Sequence, residues 1–543
     1  MQQKLRAMAE FWTVGWTQGS RCPSSLRPVS THQMIHPTAK TITSFKPCSI
    51  SPASLMCKGM SFSVSLFYHN APLSPSVMAS ALQHLANEAP ILAARTTIPA
   101  IFPRIFRRFS DVEVVLQHAR PSSSSTTDDS TGGFSFRTDS RQQSLRHVID
   151  MIWKDKTPLV LHERRKMPQT IEPINAGKTD ADELAHVDLV RYNDGSVLTL
   201  HISHLLADAA RAIKLLERLS AIYEAIDANK PVPPARVTFD TWHTKVVATP
   251  ATPSSPPSSL SELLRLRPSH LLDLPVALYD YVTTKFAPVY IYVPRDAVTA
   301  LQGKSNCSKG HSASHDDSCD DTPSISKMDI VQALAVTLLR HARPDHPADS
   351  VIINMDLSRV LSPTDDVDTV DTLGNASDFL QIHAPFHPAN VTYNARRIRE
   401  ALEAYRSEAR GNVQRALRTT AAMSRLPKPA VRAAFIVHGR REKLASCTAV
   451  ASFPTDGVRF AGTKPSFHSI NSHVGFDWWS IVTSVTPSPI CPDMDGWIIS
   501  INAPQGDGIG DALADLQGSG DVQVNVTDKD TMADGIFRHL IVL

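Results

Sequence analysis

Hydrophobic and polar positions along the chain recur in two periods, one that of a strand and one that of a helix. "SFSVSLFY" (Ser61–Tyr68) alternates strictly, with Phe62, Val64, Leu66 and Tyr68 on one face, which predicts a half-buried strand. In "SPSVMASALQHLANEAP", Val77, Ala81, Leu82 and Leu85 stand at helical spacing and Pro90 ends the pattern. "SVLTLHISH" (Ser196–His204) alternates again. It runs into "DAARAIKLLERLSAIYEAI", where Ala212, Leu215, Leu219, Ile222 and Ile226 form one apolar stripe. Further on, "APVYIYVP" (Ala287–Pro294) and "SVIINMDLS" read as strands. "SKMDIVQALAVTLLRHA" reads as a helix with Ser326 as N-cap and Asp329 three residues on. A long helical pattern covers about Tyr393 to Met423, and the last hundred residues alternate short strands with turns. Interleaved strands and helices predict a mixed α/β class.

Three polar stretches interrupt this pattern and read as linkers or surface insertions: Pro121–Ser144, the Pro/Ser-rich Val247–Ser259, and Gly303–Pro323. At 543 residues the chain exceeds what one core organises. The pattern divides it into a loose extension (1–40), a first half (41–235), a Pro/Ser-rich crossover (236–286) and a second half (287–543).

Composition narrows the function. Hydrophobic residues are 42%, enough for globular packing, and 55 Lys and Arg against 53 Asp and Glu leave a charge of +2. That balance predicts neither a nucleic-acid nor an acidic partner. No run of apolar residues is long enough to span a membrane, and the N-terminal segment, rich in Arg and Ser, lacks the continuous apolar stretch of a secretory signal. The seven cysteines are odd in number and irregularly spaced, which argues against a disulfide framework and for a reducing, cytoplasmic setting. Cys307, His311, His315 and Cys319 are spaced by four, but the Ser, Gly and Asp residues around them favour a disordered insertion over a zinc site.

The chemistry concentrates at "HISHLLADAARAIKLLERL". Leu198, Leu200, Ile202 and His204 share one face of the strand, and His201 shares the other with Thr199 and Ser203. His204 ends the apolar face where the chain leaves the sheet, and Asp208 follows just before the helix. A neutral imidazole is a good general base near neutral pH, and a carboxylate four residues later can hold its turn. Asp before a helix is equally a common N-cap. A metal shared by His201, His204 and Asp208 is disfavoured, because the two histidines point to opposite faces.

The order "HLLAD", then "INMDLSRVLSP", then "TLGNASDF" resembles the BAHD acyltransferases and their fungal, trichothecene acetyltransferase-like branch. The opening "SVSLFY…ALQHLANEAPILAAR" resembles that family's first strand and helix. The likeness covers roughly residues 40 to 543. It departs at Ala209 and Ala94, where the family has Gly, and at Leu357, where the family has the first Arg of its "R-S-R" strand, leaving Arg359. The family's "D-F-G-W-G" has only the partial counterpart "SHVGFDWWSIVTSV" (Ser472–Val485), with Phe476, Asp477 and Trp478.

The resemblance implies two chloramphenicol-acetyltransferase-like lobes with mixed sheets, flanking helices and an active-site channel between them. It implies a monomer that moves an acyl group, acetyl foremost, from acyl-CoA to a hydroxyl of a small molecule. In the fungal branch the acceptor is a secondary metabolite. His204 would be the general base. Asp208 would be structural and paired with an arginine, for which Arg359 is the candidate. No metal, no covalent acyl-enzyme and no permanently bound cofactor are implied; acyl-CoA is a co-substrate. Two other readings stand beside this one. Condensation domains of peptide synthetases use a similar His and Asp with a carrier-protein donor, but place a second His where Ser203 stands here. A non-catalytic ligand-binding member would account for the altered C-terminal motif.

Overall fold

In a computed structural model of the chain, the residues described are 31–35, 44–45, 61–97, 113–115, 133–147, 181–204, 206–234, 275, 286–307, 324–341, 350–356, 377–383, 385–387, 390–408, 411–412, 437, 444–452, 455, 457–472, 479–485, 495–504, 525–526 and 541–542. The strands of the two large sheets are, in chain order, β1 (Thr31–Ile35), β2 (Ser61–His69), β3 (Phe134–Ser140), β4 (Ala185–Tyr192), β5 (Gly195–Ser203), β6 (Phe286–Pro294), β7 (Ser350–Asp356), β8 (Ser377–His383), β9 (Leu444–Ala449), β10 (Phe467–Ser472), β11 (Trp479–Val485) and β12 (Gly496–Pro504). The main helices are α1 (Pro75–Glu88), α2 (Ala209–Asp227), α3 (Arg295–Cys307), α4 (Lys327–His341) and α5 (Val391–Ser407).

One six-stranded sheet has the order β1-β3-β4-β5-β2-β10 and the other β6-β12-β11-β9-β7-β8. Both are mixed: β3 runs parallel to β4, and β9 parallel to β7 and β11, while the remaining neighbours are antiparallel. Helices α1 and α2 lie on the first sheet. They bury Met78, Leu82 and Leu85 from α1, and Leu215, Leu219 and Ile222 from α2, against Phe62, Val64, Leu66, Leu198, Leu200 and Ile202. The second sheet is covered by α4 and α5 around Val331, Leu334, Leu338, Ile398 and Leu402.

The helix ends are set by their sequences. Ser74 caps α1 ahead of Pro75, whose missing N–H costs nothing at a first turn. Ser326 and Asp329 cap α4 reciprocally: the Ser326 N–H donates to Asp329 Oδ2 at 2.7 Å and the Asp329 N–H to Ser326 Oγ at 3.2 Å. Asp329 also takes Arg399 Nε at 2.8 Å, which ties α4 to α5.

The halves are not sealed from each other. β10, from the second half, pairs antiparallel with β2 at the edge of the first sheet, Ile470 opposite Val64. Phe460 packs edge-on against Tyr68 and Tyr223, with ring centroids 5.7 and 5.3 Å away. The Arg459 N–H donates to Ser220 Oγ at 2.9 Å and the Gly462 N–H to Glu224 Oε1 at 2.9 Å. These contacts hold α2 against the segment 457–472 of the second half.

Several expectations are corrected. The "SFSVSLFY" strand is buried on both faces: Ser63 and Ser65 are enclosed along with Phe62 and Val64, and β2 lies inside the sheet between β5 and β10. Phe134–Ser140 falls within the stretch expected to be a linker, yet forms β3. Thr31–Ile35, in the stretch expected to be loose, forms β1 on its edge. α3 runs to Cys307, into the third polar stretch, while His311, His315 and Cys319 lie outside the described residues. α5 covers Val391–Ser407 of the expected helical stretch; Gly411 and Asn412 are helical again, and 413–423 lie outside the described residues. Among the described residues no helix is long and apolar enough to cross a membrane.

Candidate functional site

The site is built where β5 hands over to α2. All nine residues of β5 are buried, and its start is pinned by Gly195. A Cβ there would lie 2.2 Å from the carbonyl oxygen of Tyr68, so only glycine lets β2 approach at this register. At the far end the chain turns tightly: the N–H groups of Leu206 and Ala207 both donate to the Ser203 carbonyl, at 2.9 and 3.2 Å. His204 stands in that turn. It continues the apolar face, and its ring lies 4.6 Å from that of Phe62, tilted by 43°.

His204 is half-buried at the end of β5. Burial pushes its imidazole down to about 4, so the ring is neutral at neutral pH. A neutral imidazole is the form that can accept a proton.

Asp208 is the N-cap of α2. Its Oδ1 accepts the Arg211 N–H at 3.1 Å, while Oδ2 takes the Arg211 guanidinium at 2.5 Å. Arg211 is among the most deeply buried large side chains, 2% exposed, and its guanidinium also reaches Asp356 Oδ1, at the end of β7 in the second sheet, at 3.4 Å. Burial opposes the arginine's charge, but the carboxylates of Asp208 and Asp356 more than offset it and raise its pKa. One buried cation thus ties the turn that carries His204 to the opposite sheet.

Among the described residues Asp208 pairs with Arg211, three residues on; Arg359, the partner the resemblance implied, lies outside them. Sequence reasoning missed both Arg211 and Asp356. A signal for Arg211 was present: it falls four residues before Leu215, on the stripe that α2 buries, where an unpaired charge is rarely tolerated. His201 points to the opposite face of β5, as its alternation requires, and its Nε2 lies 3.0 Å from Asp188 Oδ2 on β4. Phe476, Asp477 and Trp478 lie outside the described residues.

Burial of His204 has a measurable consequence, shared by His468, which burial also pushes down to about 4. The unfolded chain takes up these protons near pH 6.5. The folded chain resists them until about pH 4. Between those values the unfolded state holds more protons, so stability falls as the pH is lowered through that window and is unaffected above it. For His468 the loss at pH 5 is about 2 kcal/mol relative to pH 7.5. His468→Gln should flatten the decline of the melting midpoint between these pH values; an unaltered decline would contradict the assignment.

No protein-family profile matches the sequence, and no curated protein matches it. Solved structures do. TRI101 of F. graminearum with ethyl coenzyme A is 13% identical, with a TM-score of 0.56 over 87% of this chain and 97% of that one. TRI101 of F. sporotrichioides with coenzyme A and T-2 is 12% identical, with a TM-score of 0.57 over 89% and 99%. Vinorine synthase is 14% identical, with a TM-score of 0.54 over 90% and 96%. The chain therefore shares the two-lobed, mixed α/β fold of TRI101 and vinorine synthase.

Proposed function

We propose that this protein transfers an acyl group from acyl-CoA to a hydroxyl group of a small molecule, with His204 as the general base. The observation that carries this reading is a neutral histidine at a strand end, in a turn fastened across the two sheets by Asp208, Arg211 and Asp356. The same fold holds coenzyme A together with deoxynivalenol, or with T-2, in TRI101.

In the proposed reaction His204 accepts the proton of the acceptor O–H as the oxygen attacks the thioester carbonyl carbon. The C–S bond of the resulting tetrahedral adduct then breaks, and the imidazolium returns its proton to the departing thiolate. Burial that holds the resting imidazole neutral is offset in the transition state, because the negative charge developing on oxygen favours the imidazolium beside it. Asp208 touches no reacting atom in this scheme. It is a positioning residue, acting through the α2 cap and Arg211. The acyl group we propose is acetyl, and the acceptor a hydroxylated terpenoid or polyketide of fungal secondary metabolism.

The test is to offer the purified protein acetyl-CoA and longer acyl-CoAs with a panel of hydroxylated metabolites, and to follow free thiol and acylated product. Acceptor-dependent formation of both in equal amounts is expected. Coenzyme A binding with no transfer to any acceptor would favour a non-catalytic member instead.

A further inference from the structure

Among the described residues, one group of three metal-ligating side chains lies close enough to share an ion: His186, Asp188 and His201, whose ligating atoms fall within 4.8 Å of one another. The group is on the face of the first sheet opposite His204. His186 and Asp188 are two apart on β4 and so point the same way, and His201 on β5 lies directly across from His186. The two imidazoles stack, with centroids 4.1 Å apart and planes 24° apart. Both turn an Nε2 toward the same carboxylate oxygen: His201 Nε2 is 3.0 Å and His186 Nε2 3.9 Å from Asp188 Oδ2. His186 and Asp188 are each 1% exposed and His201 7%.

We propose that His186, Asp188 and His201 form a binding site for a divalent transition-metal ion of the zinc type, held inside the first sheet and separate from the site at His204. Ligands at ~2.0–2.1 Å around a tetrahedral ion stand about 3.3 Å apart, a spacing that the two distances to Asp188 bracket. Two imidazoles and one carboxylate are a donor set that suits zinc and its first-row neighbours. Residues i and i+2 on one strand and the residue facing them on the next have their Cβ atoms fixed by the sheet, so the geometry needs no loop to close around the ion. A divalent ion also supplies positive charge to a deeply buried carboxylate. The three ligands leave a fourth tetrahedral position for a hydroxyl or water.

Because the residues are buried, the ion must enter as the chain folds. The full chain would be produced in zinc-supplemented medium, freed of loose metal by gel filtration and analysed for metal, then refolded with Co²⁺ in place of Zn²⁺. One equivalent of zinc, a visible d–d band of tetrahedral Co²⁺, and a melting midpoint that rises with added Zn²⁺ are expected. His201→Gln and Asp188→Asn, checked for folding by circular dichroism, should each reduce metal content at least about tenfold. Cys307→Ala and His311→Ala should leave metal content and folding nearly unchanged. The wild-type spectrum and zinc-dependent melting decide the matter even where a variant fails to fold. A folded wild-type chain without zinc and without the Co²⁺ band would overturn the proposal. So would metal that stays with His201→Gln and Asp188→Asn, or that leaves with Cys307→Ala.

Discussion

Arg211→Met should lower the stability of the folded chain by about 3–5 kcal/mol, the cost typical of breaking a buried ion pair by removing one partner. Arg211 is 2% exposed and is the cation shared by the carboxylates of Asp208 and Asp356. Methionine keeps much of the volume of the stem, so a cavity is not the main effect. What remains is a pair of acidic groups in an enclosed site, with their common counter-charge gone. Asp208→Asn should be milder, because the amide still caps the first turn of α2 and Arg211 keeps Asp356. Urea unfolding followed by circular dichroism separates the two: the midpoint should drop for both and further for Arg211→Met. Equal midpoints for wild type and Arg211→Met would remove the clamp from the account.

The helices α1, α2 and α4 and strands β2, β5, β6 and β7 were legible in the sequence, because each carries its own period and its own start or stop signal, such as Ser74-Pro75, Asp208 or Ser326. β3 was not. Its stretch begins in polar low-complexity sequence, and what makes Phe134–Ser140 a strand is pairing with β1 and β4, which no local pattern announces. Of the long helical pattern after Tyr393, α5 accounts for the part up to Ser407, where the helix breaks at Glu408; Gly411 and Asn412 are helical again.

The candidate site divides the same way. The face of β5 that each histidine occupies follows from alternation, and Asp208 as an N-cap follows from its position. For its arginine partner the family resemblance points downstream to Arg359, which lies outside the described residues. Among the described residues the partner is Arg211, from the helix that Asp208 itself begins. Asp356 and the grouping of His186 with His201 depend on contacts between distant segments: a junction of two sheets in one case, a cross-strand register in the other.

His204→Ala should lower turnover by about 100- to 10,000-fold, the typical contribution of a general base. Alanine removes the imidazole but not the fold around it. Asp208 still caps α2, and Ser203 still closes the turn through its carbonyl. The methyl group leaves a gap beside Phe62, so a modest loss of stability is expected with the loss of rate. His201→Gln differs in kind: it sits on the other face of β5, next to Asp188, and its effect should fall on melting and metal content, with rate per folded molecule reduced far less.

The most direct measurement is acceptor-dependent release of coenzyme A thiol at saturating substrates for wild type, His204→Ala and His201→Gln, with each protein's folding checked by circular dichroism and its acyl-CoA binding measured separately. The account predicts that His204→Ala stays folded, binds acyl-CoA and loses at least about two orders of magnitude in rate, while His201→Gln keeps most of its rate per folded molecule. A folded His204→Ala that retains most of the wild-type rate, with His201→Gln inactive, would contradict it.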